Sequence, residues 1–252
     1  MKFIDTNAWS GPWPLSPVSP IEPKQRRVRN IGYEIKEALV SPFKAVFQAD
    51  PMPGNRTLFD SLGKRRSTRP LPILNLATPA WEDHLEEITT HARVAGIRLL
   101  PSYHGYSLRS PAVRKLNVRL KARQLRLVIT ARLVDERQEH PALSIKPVPV
   151  VQLKQFVETN PDTHPLIQGL GVHELKELAQ AGGLFSTDTS FAEWEDTLQV
   201  IREDIPLPRI LFGSLSPLQV AQAQIDKVRL SSLTQRQRES VALGNAQRFF
   251  QL

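Results

Sequence analysis

The chain has 252 residues, 40% hydrophobic and 23% charged, with 33 Lys and Arg against 25 Asp and Glu for a formal charge of +8. That length suits one unit, residues 1–252, able to bury roughly 70–75% of its unfolded surface, and the composition is that of an ordinary globular protein. No run approaches the ~18 apolar residues that span a bilayer, so no membrane partner is expected. The absence of cysteine excludes disulfides, thiolate metal sites and a thiol nucleophile.

Short apolar runs alternate with longer amphipathic stretches, the pattern of βα units around a parallel sheet. The opening MKFIDTNAW places a first strand at 2–5; with no apolar run of about 7–15 residues behind Lys2, and Asp5 already present, it reads as no secretory signal, and a cytoplasmic location is expected. A proline-rich loop over 12–23 leads to a helix at 24–32. Strands follow at 37–41, 73–77, 97–100, 127–130, 166–168, 184–186 and 210–213. The remaining helices fall at 55–62, 81–95, 111–124, 150–158, 172–181, 191–203 and 234–249. The helix from Trp81 carries Glu82 and Asp83 in its first turn, as the helix dipole prefers, and is expected to stop at Gly96. Eight units of about thirty residues each predict a single (β/α)8 barrel of TIM type, regular or distorted.

The excess charge raises the question of nucleic acid. Basic residues cluster at 25–29, at 64–66 and from Arg114 to Arg126. In the last run Val113, Leu116 and Leu120 recur at helical spacing and the cations fill the other positions, as on the solvated face of an outer helix. No aromatic residues interleave to form a stacking platform and no DNA- or RNA-binding motif occurs, so no specific nucleic-acid partner is expected.

Several fragments carry a family resemblance. Phe3-Ile4-Asp5-Thr6-Asn7-Ala8-Trp9 is similar to the first strand of barrels in which a His-x-His pair follows the aspartate; here those positions hold Asn7 and Trp9. Arg209 to Pro217, with Gly213-Ser214-Leu215, is similar to an eighth strand in which a metal-binding aspartate follows Gly-Ser, and Leu215 stands in its place. Gly96 to Pro101 resembles the fourth strand, and Gly244-Asn245-Ala246 the closing segment, of the same barrels. The chain thus resembles, end to end, the amidohydrolase-related metal-dependent hydrolases. That resemblance implies a TIM barrel, hydrolase or related lyase chemistry on a small molecule, and a homodimer as the common assembly. The family generally uses one or two divalent metals to activate water. Strand five, Arg126 to Thr130, and strand six, Leu166 to Gln168, lack the expected histidines as well, so all five ligand positions are replaced.

In a barrel the polar residues at the C-terminal strand ends are the functional candidates. As catalytic groups we identify His104, Asp188 and Asp5: His104 or Asp188 to move protons, Asp5 to orient from beneath. As substrate-binding groups we identify Arg132, Asn7, Tyr103, Asp135, Arg137 and His140. Arg132 alternates with Thr130, and its fork suits the carboxylate or phosphate of a small anionic molecule. The plainer reading of 130–140 is a charged surface loop, and of His104 a packed loop histidine. No cofactor is expected; the alternative is a weakly held divalent cation on oxygen ligands drawn from Asp5, Asp135, Glu136 and Asp188, with His140 nearby. A non-catalytic barrel retained as a binding or assembly protein competes with the enzyme, and the filling of the barrel mouth decides between them. Converging Arg132, His104 and Asp188 favour chemistry, whereas Trp9 and Trp13 filling the mouth favour binding.

Overall fold

Eight parallel strands alternate with helices in the computed structural model, which describes residues 1–15, 34–62, 67–135, 140, 143 and 145–252. In chain order they are β1 (Lys2–Ser10), β2 (Glu34–Pro42), α1 (Met52–Leu62), β3 (Thr68–Pro70), α2 (Trp81–Thr90), β4 (Gly96–Leu99), α3 (Pro101–His104), α4 (Pro111–Ala122), β5 (Arg126–Thr130) and α5 (Val150–Thr159). Then come β6 (Leu166–Gln168), α6 (Val172–Ala179), β7 (Ser186–Asp188), α7 (Thr197–Ile201), β8 (Ile210–Leu211), α8 (Ala221–Arg229), α9 (Gln235–Glu239) and α10 (Asn245–Phe250). The strands run in the order β1-β2-β3 and β4-β5-β6-β7-β8. Two sets of contacts join these arcs into a ring. Ile73 bridges Arg98 in parallel, while Thr6 N–H donates to Phe212 O at 3.0 Å and Trp9 N–H to Ser216 O at 2.9 Å. The molecule is a closed (β/α)8 barrel, as the alternating sequence pattern predicts.

Period-two alternation sorts the side chains. In β5, Leu127 and Ile129 face the helices, where they join Phe3, Ile97, Leu116, Leu153, Ile167, Leu175 and Phe212 in the outer core. Val128 faces inward and packs with Ile4, Leu39, Leu71, Leu166 and Leu211 as an apolar layer low in the barrel, floored by Ala246, Phe249 and Phe250 of α10. One level higher the inward positions turn polar: Asn7, Thr130, Gln168 and Asp188 are all buried.

Several boundaries differ from the sequence reading for identifiable reasons. Strand three lies at Thr68–Pro70 and not 73–77, because Pro70 and Pro72 lack N–H donors and reduce the pairing with β4 to the single bridge at Ile73. β7 is shifted from 184–186 to Ser186–Asp188, which puts Asp188 inside the strand. The helix expected at 191–203 is only Thr197–Ile201, started by Asp196, whose carboxylate accepts from Gln199 N at 3.3 Å. α2 ends at Thr90 and the chain turns through Arg93 at φ 74°; Gly96 serves the sheet, since a Cβ there would lie 2.5 Å from Arg126 O. α3 and α8 add to the expected helices, and the helix expected at 234–249 contains a π turn over Ser240–Gly244. The helix at 24–32 and the basic clusters at 25–29 and 64–66 lie outside the described residues.

The basic face of α4 is largely spoken for. Lys115 and Arg119 pair with Glu82, Arg119 and Arg123 with Glu86 at 3.0 and 2.6 Å, and Lys121 with Asp162 at 2.9 Å. No helix among the described residues is long and apolar enough to cross a membrane.

Asn245 ties the chain end to the barrel: its Nδ2 donates to Leu207 O at 2.8 Å and Ile210 O at 2.7 Å, just where β8 begins. Asn245→Ala removes both bonds and takes the amide partner from the buried Ile210 carbonyl, while Leu207 O keeps its bond from Ile210 N–H, so denaturant unfolding is expected to show a loss of about 2 kcal/mol. A change within a few tenths of a kcal/mol would show that water replaces the amide there.

Candidate active site

The C-terminal end of the barrel holds a polar layer built around Asn7. β1 carries a register irregularity between Asp5 and Ala8 that contains Asn7; Asn7 and Trp9 face inward while Ala8 packs outward with Ala38 and Val40. Asn7 Oδ1 accepts from Trp9 Nε1 at 2.9 Å and from Arg98 Nη1 at 3.0 Å. Its Nδ2 donates to Asp188 Oδ2 at 3.0 Å and Ser190 Oγ at 3.1 Å. Ser190 in turn donates to the Asp188 carboxylate at 3.0 Å. Asp5 forms a second node: it accepts from Ser214 N at 2.9 Å, Ser214 Oγ at 2.6 Å and Asn7 N at 3.0 Å, locking β1 to the segment after β8.

Gly213 makes this arrangement sterically feasible, since a Cβ there would come within 2.2 Å of Asp188 Oδ2. Below the loop after β7, Lys227 of α8 donates to Thr189 O at 2.9 Å and Ala192 O at 2.7 Å, fixing the loop that carries Ser190.

Arg98, which sequence reasoning overlooked, is the cation of the layer and is 0% exposed. It stands in mid-strand among apolar neighbours, Gly96-Ile97-Arg98-Leu99-Leu100, and a charge in such a run was the available signal. Its guanidinium donates to Asn7 and, at 3.3 Å, to Thr130 Oγ1, and lies 4.3 Å from the centre of the Trp9 ring. Burial lowers its pKa to about 9 against the opposing charges of Asp188 and Asp5, so it remains a cation at neutral pH. Burial pushes the Asp188 carboxyl up to about 6; hydrogen bonds from Ser190 and Asn7 and the charge of Arg98 pull the other way.

An apolar cluster lies on top of this layer. Trp9 stacks on Phe43 at 5.1 Å, Trp13 meets Phe43 edge-on at 5.1 Å, and Leu100, Leu133 and Leu215 complete the packing. Leu215, with φ 51°, turns into this cluster.

The structure brings Asp5, Asn7 and Asp188 together and distributes the other candidates. Tyr103 borders the apolar cluster, its hydroxyl accepting from Leu133 N at 3.2 Å. His104 ends the short helix α3, with Nε2 3.3 Å from Ala45 O; burial lowers its pKa despite backbone contacts with Ala45 and Val46. Arg132 is ion-paired with Glu174 at the start of α6, its guanidinium 5.2 Å from the Phe191 ring. Asp135 is partly buried and His140 exposed, while Glu136 and Arg137 lie outside the described residues.

These side chains suit a divalent cation poorly. Among the described residues no group of three or more His, Asp or Glu stands close enough to hold one. The acids nearest the centre, Asp5 and Asp188, are occupied by Ser214 and by Asn7 and Ser190, and the Arg98 guanidinium 3.0 Å from Asn7 Oδ1 would repel an incoming metal.

The raised pKa of Asp188 has a definite consequence for stability. The folded state binds this proton more tightly than the unfolded chain, where the ordinary value is 3.8. The contribution is therefore complete below about 3.8 and lost as pH rises through about 6, a difference of about 3 kcal/mol. Unfolding free energies from pH 4 to 8 are expected to fall less steeply in Asp188→Asn than in the parent by that amount. Parallel profiles would show that Asp188 ionises like an exposed carboxylate.

No protein-family model matches the chain, and no curated protein matches it in sequence. Solved structures do. 2,6-Dihydroxybenzoate decarboxylase from Rhizobium superposes with TM-score 0.72 at 15% identity over 99% of this chain and 98% of that one. A probable 2-pyrone-4,6-dicarboxylic acid hydrolase from Acinetobacter baumannii, with citric acid bound, gives 0.65 at 11% identity over 100% of both chains. Amidohydrolase 2 from Bifidobacterium longum subsp. infantis gives 0.67 at 13% identity, covering 100% of this chain and 99% of that one. At such identities the likeness speaks to architecture, and on it this chain has the fold of the amidohydrolase-related TIM barrels.

Proposed function

We propose that this barrel is a hydrolase or related lyase acting on a small anionic molecule, in which Asp188 carries the proton and Arg98 supplies the fixed positive charge that a metal supplies elsewhere in the fold. The observation that carries this reading is Asp188: a carboxyl only 2% exposed, at a strand end, with its pKa near 6 and both oxygens held by Asn7 and Ser190. A group poised there can give and take a proton at neutral pH, which typically contributes about 10²- to 10⁴-fold to a rate. His104 is less suited, because its Nε2 is turned onto the Ala45 carbonyl. Asn7 orients Asp188, and Asp5, fixed by Ser214, holds the Asn7 backbone from beneath. The fold neighbours named above as decarboxylase and hydrolase of small acids support the substrate class by analogy. Trp13, the more exposed of the two tryptophans, is then the part of the mouth that substrate displaces, while Trp9 stays on Arg98 and excludes water, which strengthens the field of Arg98 at the reacting groups.

A second reading, a non-catalytic binding or assembly barrel, is favoured by a specific observation: Trp9 and Trp13 are both buried in the mouth against Phe43. Incubation with a panel of small aromatic and dicarboxylic acids, 2,6-dihydroxybenzoate among them, separates the two. Consumption of at least one acid is expected to be unchanged by chelator and reduced 100-fold or more in Asp188→Asn. If no acid is consumed and none shifts the melting temperature, the binding or assembly reading replaces the enzyme.

A further inference from the structure

Arg98 uses only part of its hydrogen-bonding capacity. Nη1 donates to Asn7 and Thr130, while Nε and Nη2 are buried without a hydrogen-bond partner. These two nitrogens share one edge of the guanidinium and present parallel N–H groups whose spacing matches the two oxygens of a carboxylate. The protein uses that same edge elsewhere: Arg56 grips Glu87 with Nε to Oε1 at 2.6 Å and Nη2 to Oε2 at 2.7 Å. Arg56 does so at the surface; Arg98 holds the equivalent edge in a site removed from water, where an unpaired charged donor is costly and a carboxylate would be bound far more strongly.

We propose that the Nε/Nη2 edge of Arg98 is the binding site for the carboxylate of a small acid. This rests on the small-anion reading above and moves its anchor from Arg132 to Arg98. Arg132 is ion-paired with Glu174, which also accepts from Gly171 N at 2.8 Å, so its charge is compensated and held at the start of α6. Around Arg98 the geometry is set in advance. Trp9 covers one face of the guanidinium, Asn7 and Thr130 hold Nη1, and only the carboxylate-matching edge remains. Gln168, fixed by donation from its Nε2 to Thr6 O at 3.1 Å, has a buried Oε1 without a partner in the same layer, an acceptor for a hydroxyl on the bound acid. The charges facing the site are Asp5 and Asp188, with Lys227 behind Asp188. Asp188, hydrogen-bonded to Ser190 and Asn7, can take up a proton as the acid enters, so an added carboxylate need not add net negative charge.

The test follows the Nε–H resonances of protein labelled with ¹⁵N-arginine, titrated with formate and with benzoate. The Arg98 signal is assigned by through-bond correlation in the parent, so the measurement does not require a variant to fold. It is expected to move and saturate, and the acid to raise the melting temperature by a few degrees at about a hundred times its Kd. Arg98→Lys keeps the charge but lacks the two-pronged edge and should lose the rise, while Arg132→Met should retain it. An unmoved Arg98 signal together with a rise that Arg132→Met abolishes would overturn this inference, leaving the small-anion reading intact with Arg132 as anchor. An unmoved signal with no rise from any acid would overturn the small-anion reading itself, and the inference with it.

Discussion

The carboxamide of Asn7 is the joint on which the site depends. Its oxygen accepts from the Arg98 guanidinium and the Trp9 indole while its nitrogen donates to Asp188 and Ser190, so one neutral group links the buried cation to the buried carboxyl. An amide offers an acceptor and two donors at this reach; a carboxylate here would leave Asp188 facing a second anion, and an aliphatic residue would leave Asp188 with Ser190 alone and Arg98 with Thr130 alone. Because the bridge is neutral and the charges are not in direct contact, burial dominates the ionisation of Asp188 and holds it near 6.

The surroundings sharpen this. Beneath the polar layer lie the inward aliphatic side chains of β1, β2, β5, β6 and β8 with Leu71, the residue after β3, and above it the cluster of Trp9, Trp13, Phe43 and Leu215. A thin polar sheet between two apolar slabs experiences a low effective dielectric, so each charge acts over a longer range than it would at a surface. Asn7, Trp9 and Leu215 take complementary places here: Asn7 joins the hydrogen-bond network, and Trp9 and Leu215 join the apolar lid. Arg98, at the centre of these groups, is held on one side by Asn7 and Thr130 and keeps Nε and Nη2 without a hydrogen-bond partner.

The family resemblance and the alternation of the chain were enough to anticipate the barrel and most of its strands, because backbone geometry writes periods of two and 3.6 into neighbouring residues. Where that local signal was weak, the reading slipped. Pro70 and Pro72 displaced β3, and Phe191 and Ala192, expected at the start of a helix, pack into the apolar cores so that α7 begins only at Thr197. The candidates Asp5, Asn7 and Asp188 were identifiable as polar residues near strand ends, but Arg98 was passed over as part of a strand, though its charge among apolar residues marked it as exceptional.

The sequence by itself determined most of the element types and the alternation of inward and outward side chains, and it carries polar residues, Asp5, Asn7 and Asp188, near the strand ends. The tertiary structure decided which of these residues act together. Asn7 meets Asp188 across 181 positions of chain and Asp5 meets Ser214 across 209, and such contacts exist only because the ring closes β8 onto β1. Whether a guanidinium keeps its Nη2 unpaired, as Arg98 does, or gives it to a neighbour, as Arg132 does to Glu174, is likewise set by side chains brought from distant strands and helices. Local sequence can specify that a charge is present, but its partner is fixed by closure of the barrel.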